Sequence, residues 1–281
     1  MKPSPHPSIS AYIPCYNNAP TISQVIRSVQ EQTWPVSEFF IIDDGSTDDS
    51  AAIARALGIR VISHPKNLGR GAARARAMVE AKYPLVLCCD GTKILHQNFI
   101  ENALPWFQEE RVAAVFGALI QPTPQTVVER WRGRHLFKYF SSYSTVRSSC
   151  FTTAGAITRK SIVLEAGNYN NQLRHNEDGE LGQRLLRLGY DIISDSNLLT
   201  IEIGSNTVNQ VLERYWRWNS WNSGKGENLS WKTYCQWIIK SIKRMAVQDF
   251  QSGDPLGIPI SLYSPHYRLW KSLWQKICRS G

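Results

Sequence analysis

Short apolar runs alternate with stretches of helical period along the first part of the chain. Residues 9–13 read as a strand that stops at Pro14. Residues 19–32 place Ile22, Val25, Ile26 and Val29 on one helical face, with Thr21 near the start. A second strand over 39–43 is followed by a helix over 48–57, closed by Gly58. A third strand covers 59–63, and residues 69–82 form a helix rich in alanine and arginine. A fourth strand over 84–89 ends at Asp90, and a helix over 99–110 precedes a strand over 112–116. Strands separated by helices of this length predict βαβ units and a largely parallel sheet.

The pattern loosens after Gln121. Pro122 and Pro124 interrupt it, and residues 127–139 read as a basic helix. A strand is expected over 151–158, a helix over 178–188 stopped by Gly189, and a strand over 191–194. From Thr207 onward the composition changes: 11 Lys/Arg stand against 4 Asp/Glu, and seven of the ten tryptophans fall here. The expected division is a catalytic or binding domain over 1–205 and a basic, Trp-rich helical extension over 206–281. Residues 222–228, with Gly224 and Gly226, read as a loop able to close over a ligand.

Composition narrows the class. With 281 residues and 42% hydrophobic content the chain can bury a full core, which excludes wholesale disorder. The net charge of +9 favours an anionic partner: a nucleotide diphosphate, a membrane surface or nucleic acid. The basic residues do not interleave with a nucleic-acid reading motif, so no nucleic acid is expected. The six cysteines form no C-x-x-C pair, which argues against zinc; Cys15, Cys88 and Cys89 read as small buried hydrophobes. Residues 1–8 show no signal-peptide core, and no apolar run reaches the ~18 residues of a membrane span. A reduced, cytoplasmic setting is expected.

The candidate chemistry lies at strand ends. The second strand runs directly into Asp43 and Asp44, then Gly45, Ser46, Thr47 and Asp48. The carboxyl end of a strand in an open α/β sheet is where ligands bind. Carboxylates there can accept hydrogen bonds from a base or sugar; the alternative is that these residues only cap the next helix. Asn67, Gly69 and Arg74 open a helix, where free N–H groups and the dipole favour phosphate. Glu177, Asp178 and Glu180 make an acidic first turn, which reads either as capping or as acid–base chemistry.

Four motifs fall in order on this scaffold: Ile13-Pro14-Cys15-Tyr16-Asn17, Asp43 to Asp48, Asn67 to Arg74, and His175 to Leu185. The series resembles family 2 glycosyltransferases over about residues 8–205. That resemblance implies a Rossmann-like GT-A fold, with a mostly parallel central sheet flanked by helices. It also implies inverting transfer of a sugar from a nucleotide-diphosphate donor, a UDP-sugar first among the candidates. On the family pattern Pro14 and Tyr16 line the base pocket, Asn17 binds the donor, and Asp44 reads base or ribose, with Gly45 and Ser46 beside it. Asn67, Gly69 and Arg74 bind the donor. Asp178 is the general base, and Glu177 and Glu180 raise its pKa or orient it.

One motif departs from the family. Where most members carry Asp-x-Asp for a divalent metal, this chain has Asp90-Gly91-Thr92, followed by Lys93. A divalent cation (Mg or Mn) is therefore uncertain as a cofactor. Three outcomes stay open: a metal held by Asp90, Thr92 and the diphosphate; Lys93 as a fixed positive charge on the leaving group; or binding retained without catalysis. The last is the alternative function, a catalytically silent nucleotide-sugar or glycan-binding protein.

In the extension, Arg214, Arg217 and Trp218 resemble a Q/R-x-x-R-W motif that contacts diphosphate and acceptor sugar in polymer-forming relatives; an amphipathic helix is the other reading. Trp231, Tyr234, Trp237, Ile238, Ile242 and Met245 share one face. Leu269, Trp270, Leu273, Trp274 and Ile277 share another. With Lys240, Lys243, Arg244, Arg268, Lys271, Lys276 and Arg279 beside them, residues 230–281 read as a peripheral membrane contact or as helices packed on the protein. The expected acceptor is a glycan, lipid-linked sugar or other cell-envelope group, met at the inner face of the membrane.

Overall fold

The computed structural model describes residues 7–137, 145–147, 150–220 and 230–279. The loop expected at 222–228, the side chains of Lys276, Cys278 and Arg279, and residues 1–6 lie outside them. The described chain divides into two units, one of residues 1–120 and 143–204, the other of 121–142 and 205–281.

The first unit is built on one nine-stranded sheet in the order β3-β2-β1-β4-β8-β6-β9-β5, with β7 paired to β9. Its strands are β1 (Ile9–Cys15), β2 (Glu38–Asp43), β3 (Arg60–Ser63), β4 (Leu85–Cys89), β5 (Lys93–Leu95), β6 (Val112–Ile120), β7 (Val146–Arg147), β8 (Gly155–Arg159) and β9 (Asp191–Glu202). Helices α1 (Ile22–Gln30), α2 (Ser50–Ala56) and α3 (Arg70–Glu80) make the crossovers of the parallel half, β3-β2-β1-β4. Helices α4 (Phe99–Ala103), α6 (Lys160–Glu165) and α7 (Glu177–Arg187) complete the unit.

The sheet is more mixed than the sequence pattern predicts. Strand β8 runs antiparallel to both β4 and β6, and β5 antiparallel to β9. After β4 the connections no longer join sequence-adjacent strands as parallel neighbours, so later strands run in either direction, β6 and β9 parallel to each other. Strand β1 also runs through Pro14 to Cys15. Its last residue paired with β4 is Tyr12, opposite Cys88, so the N–H that Pro14 lacks costs no ladder bond on that side.

Alternation along β1 divides the core. Ile9, Ala11 and Ile13 pack with Ile22, Val25 and Ile26 of α1 and Phe99 and Ile100 of α4. Tyr12 points to the opposite layer, where Phe40, Ile42, Ala73 and Ala77 join Leu181 and Leu185 of α7. Cys15, Cys88 and Cys89 are buried and unbridged, as small hydrophobes. Burial pushes the Cys15 thiol up to about 11, far from a reactive thiolate.

Three local expectations change. The helix expected over 99–110 becomes a 3₁₀ turn at Leu104–Gln108, because Pro105 cannot donate within an α-helix. The strand expected over 151–158 starts only at Gly155. Strand β9 continues far beyond Ser194, through Asp195-Ser196-Asn197. A register shift occurs there opposite Gly117 and Ala118, and buried Asp195 accepts from Trp106 Nε1 at 2.7 Å.

The second unit contains α5 (Val127–His135), α8 (Val208–Ser220), α9 (Trp231–Lys240), α10 (Val247–Gln251) and α11 (Ile258–Arg279). A π-helical turn over Ser241–Ala246 joins α9 to α10. Thr126 and Glu129 form a capping box at the start of α5. Buried Trp131 donates to Ser261 Oγ at 2.8 Å, and Arg134 pairs with Asp249 at 2.9 Å and Asp254 at 2.7 Å. No helix among the described residues is long and apolar enough to cross a membrane.

Candidate active site at the carboxyl ends of the parallel strands

The loops after β1 and β2 are laced together. Asn17, at φ 53°, donates its N–H to Ser46 Oγ at 3.0 Å and accepts from Thr47 N at 2.8 Å. Asp43 Oδ1 accepts from Ser46 N at 3.1 Å. Gly45 sits at φ 72°, and a Cβ there would lie 2.5 Å from the carbonyl carbon of Lys66, so only glycine fits. Tyr16 is exposed and Pro14 half-buried at this rim.

Asp44 is buried and already occupied. Oδ1 accepts from Leu68 N at 2.9 Å and meets His64 Nδ1 at 2.8 Å, and Oδ2 accepts from Gly69 N at 2.8 Å. An ionised carboxylate offers about four acceptor positions, so about one remains. That suffices for a single ring N–H of a base, not for base and ribose together. The N–H groups of Leu68 and Gly69 thus go to Asp44, and Gly71 N donates to Leu173 O at 3.0 Å. The N–H groups of Leu68, Gly69 and Gly71, expected to favour phosphate at the start of α3, thus turn inward.

Asn67 is likewise engaged, its Oδ1 accepting from Arg174. Arg174 escaped the sequence reading because it precedes the fourth motif in an irregular segment. It packs over Gly69, where a Cβ would come within 3.1 Å of its backbone. Arg70 and Arg174 are both exposed, and Arg70 lies close enough to Glu177 to lower its pKa.

Arg74 is not a solvent-facing donor ligand. It is buried, and its guanidinium reaches Glu177 Oε1 through one nitrogen and Asp90 Oδ1, at 2.6 Å, through the other. Burial works against the Arg74 charge, but Glu177 and Asp90 outweigh it and hold the group protonated. Burial raises the Glu177 carboxyl above its ordinary range, Arg74 pulls it down, and Asp178 pushes it up further. The second oxygen of Glu177 has no hydrogen-bond partner.

Asp178 is the second residue of α7, which starts at Glu177 directly after Asn176, left-handed at φ 60°. Its Oδ2 accepts from the N–H and hydroxyl of Thr153, each at 3.2 Å, and Oδ1 from Gly179 N at 2.8 Å. The carboxylate is half-buried and oriented by β8's approach segment. Glu180 does not join it: it pairs with Arg184 at 2.7 Å, one turn along α7.

The loop after β4 departs from the sequence reading at Lys93. Lys93 is buried, with Nζ 2.7 Å from Glu202 Oε2 and 2.7 Å from Thr92 Oγ1. Its charge is neutralised inside the fold, so it is not a free cation for a leaving group. Thr92 therefore accepts from Lys93, and Asp90 holds Arg74. Among the described residues no cluster of three His, Cys, Asp or Glu could hold a metal. One carboxylate, about a quarter exposed, suits a hard cation only where donor phosphates complete its shell.

Arg214, Arg217 and Trp218 lie on α8 in the second unit. The Arg214 guanidinium stacks 4.9 Å from the Trp218 ring and 5.3 Å from Phe137, and Arg217 faces Glu213 at 4.0 Å.

Residues 10–167 match the family model described as Glycosyl transferase family 2. Glycosyltransferase AglE of Haloferax volcanii is 25% identical over 195 residues, covering 66% of this chain and 64% of that protein. Hyaluronan synthase of Streptococcus pyogenes is 33% identical over 138 residues, 45% of this chain and 33% of the synthase. The chain therefore spans under two-thirds of these relatives. Among solved structures, the mannosyltransferase PcManGT from Pyrobaculum calidifontis, in complex with GDP-Man and Mn2+, superposes with a TM-score of 0.61. It is 13% identical, over 96% of this chain and 89% of that one. S. aureus TarS gives a TM-score of 0.54 at 16% identity, over 93% of this chain and 88% of that one. At such identities the likeness concerns the fold, which is of the GT-A type.

Proposed function

The chain belongs to glycosyl transferase family 2, and we propose that it transfers a sugar with inversion from a nucleotide-diphosphate donor, Asp178 acting as general base. One observation carries this reading. A single buried guanidinium, Arg74, ties the carboxylate at the end of β4 to the residue preceding Asp178. The place expected for the donor diphosphate and the place expected for the acceptor hydroxyl are thus held together on rigid elements.

The roles follow from position. Tyr16 offers a ring face to the base, and Asp44 a single remaining acceptor. Arg70 and Arg174 supply positive charge at the exposed rim near α3. Asp90, with the donor's own phosphates, would hold a Mg or Mn ion; such an ion neutralises charge on a departing diphosphate. Asp178 takes the proton of the acceptor hydroxyl as that oxygen attacks the anomeric carbon. The nucleotide leaves from the opposite face, through an oxocarbenium-like transition state. Thr153 keeps the base oriented. Arg74 and Glu177 are positioning residues. The donor is taken as a UDP-sugar, the acceptor as a glycan or lipid-linked cell-envelope group, and the setting as the cytoplasmic face of a membrane. The functional division is placed near residue 205, with residues 121–142 grouped with the extension rather than with the expected domain 1–205.

A silent binding protein is favoured by one observation, the hydroxyl of Thr92 where a second carboxylate is expected. The two readings separate on incubation with UDP-, GDP-, dTDP- and CMP-sugars. Release of nucleotide, with a product of inverted anomeric configuration by NMR, supports transfer. A donor-induced rise in melting temperature without turnover in any metal supports silent binding.

A further inference from the structure

Helix α11 is built inside out. Its inward face carries Ser261, Ser264 and Ser272 beside Ile260 and Tyr267, all buried. The opposite face carries Leu262, Tyr263, Trp270, Leu273, Trp274 and Ile277, all exposed; Trp270 is 54%, Trp274 57% and Ile277 68% exposed. A surface helix ordinarily turns its apolar stripe to the core and its polar face to water. Here the serines satisfy polar partners within the unit: Ser261 donates to Asp249 at 2.5 Å and Ser264 to Ser261 O at 2.8 Å. The large apolar side chains are left outside.

Neighbouring segments repeat the inversion. Trp231 at the start of α9 is 77% exposed and Phe250 of α10 is 72% exposed. The face expected on α9 to meet a membrane is split: Trp231 and Ile242 are exposed, while Tyr234, Trp237 and Ile238 are half-buried. Met245 is buried, Tyr234 bonds His266, and Trp237 lies under Arg268 at 4.2 Å. The exposed apolar surface thus comes mainly from α11, with Trp231, Ile239 and Ile242 beside α9.

The charge on this segment has one sign. Residues 230–281 carry eight Lys/Arg and two acids, Asp249 and Asp254. Both acids are buried, paired with Arg134 and, respectively, His135 and Arg130. The surface of the segment therefore shows no carboxylate, whereas Lys240, Lys243 and Arg244 are exposed. With Gln236 and Ile239 these three line an open groove of about 440 Å³.

We infer that the α9–α11 segment is a peripheral docking surface for an anionic lipid bilayer, with the aromatic face of α11 seated at the headgroup boundary and Lys240, Lys243 and Arg244 on lipid phosphates. Tryptophan and leucine beside lysine and arginine match that interface chemically, and no described helix is both long and apolar enough to cross it. A second copy of the chain would bring like charges together. The inference deepens the membrane placement proposed above and does not depend on transfer activity.

The test is flotation of the full chain with phosphatidylcholine vesicles, with and without about a third phosphatidylglycerol. The chain floats with anionic vesicles, and flotation weakens in high salt. Trp270→Ser with Trp274→Ser abolishes it while the melting temperature holds, both side chains being exposed. Lys240→Gln, Lys243→Gln and Arg244→Gln together lower the partition coefficient roughly a hundredfold, at about fivefold per basic side chain. Absence of flotation, or flotation unchanged in both variants, overturns the inference. So does a dimer in light scattering that the tryptophan substitutions dissolve, since the face would then meet a second copy. Donor-induced thermal shifts in the same variants keep this outcome separate from the fate of the transferase reading.

Discussion

Arg74→Met tests the link on which the site is built. Arg74 and Glu177 are both buried, and Glu177 Oε2 already lacks a partner. Removing the guanidinium leaves a carboxylate stranded in a dry site, a loss of about 3–5 kcal/mol. Asp90, partly exposed, adds about 1 kcal/mol or less. The folded-state pKa of Glu177 is already raised, and it rises further without its counter-ion. Wherever pH lies between the unfolded and folded values, the native state binds more protons than the unfolded one. Stability then falls as pH rises through that window. The deficit of Arg74→Met is therefore larger near about pH 8 than near about pH 5, and it flattens when Glu177→Gln is added. The double variant recovers to within about 2 kcal/mol of the parent, because no buried charge remains. Urea unfolding at the two pH values reads all of this, with the slope checked for constancy. A loss under about 1 kcal/mol at both pH values, or no recovery in the double variant, would refute the reasoning.

Lys93→Met costs about 3–5 kcal/mol by stranding Glu202, and Lys93→Met with Glu202→Leu returns near the parent in thermal unfolding. Turnover in that double variant stays within a few-fold; its collapse in a folded protein would restore Lys93 to the leaving group. Gly45→Ala forces a contact of 2.5 Å at positive φ, costs about 1–3 kcal/mol, and shrinks the donor-induced thermal shift. EDTA abolishes turnover and Mn2+ restores it if Asp90 and the diphosphate share an ion. Full rates in chelator would remove the metal from the account.

The parallel half of the sheet was legible because its strands are short apolar runs and α1 and α3 keep a helical period between them. Strand β9 was only partly legible: its register shift puts Asp195-Ser196-Asn197 mid-strand, and a polar triplet reads as a loop. Strand β5 is three residues long, too short to show a period. At the site, the motifs located Asp44, Asp90 and Asp178, yet partnership was hidden. The donors that occupy Asp44 come from Leu68 and Gly69, and the partner of Lys93 from Glu202, at the end of β9. One signal was present for Arg74. It lies on the α3 stripe with Gly71, Ala73, Ala77 and Met78, and a cation among small apolar residues marks a buried pair. The inversion of α11 could not be read from its pattern, since an amphipathic stripe does not say which face turns inward.

The central claim rests on Asp178. Nucleotide release and donor-induced thermal shift, measured side by side on Asp178→Asn, test it most directly. The account predicts a loss of turnover of about 10²–10⁴-fold with the donor shift preserved, since a general base at Asp178 would meet the acceptor and not the nucleotide. Turnover within tenfold of the parent, or a shift lost along with it, would contradict the assignment.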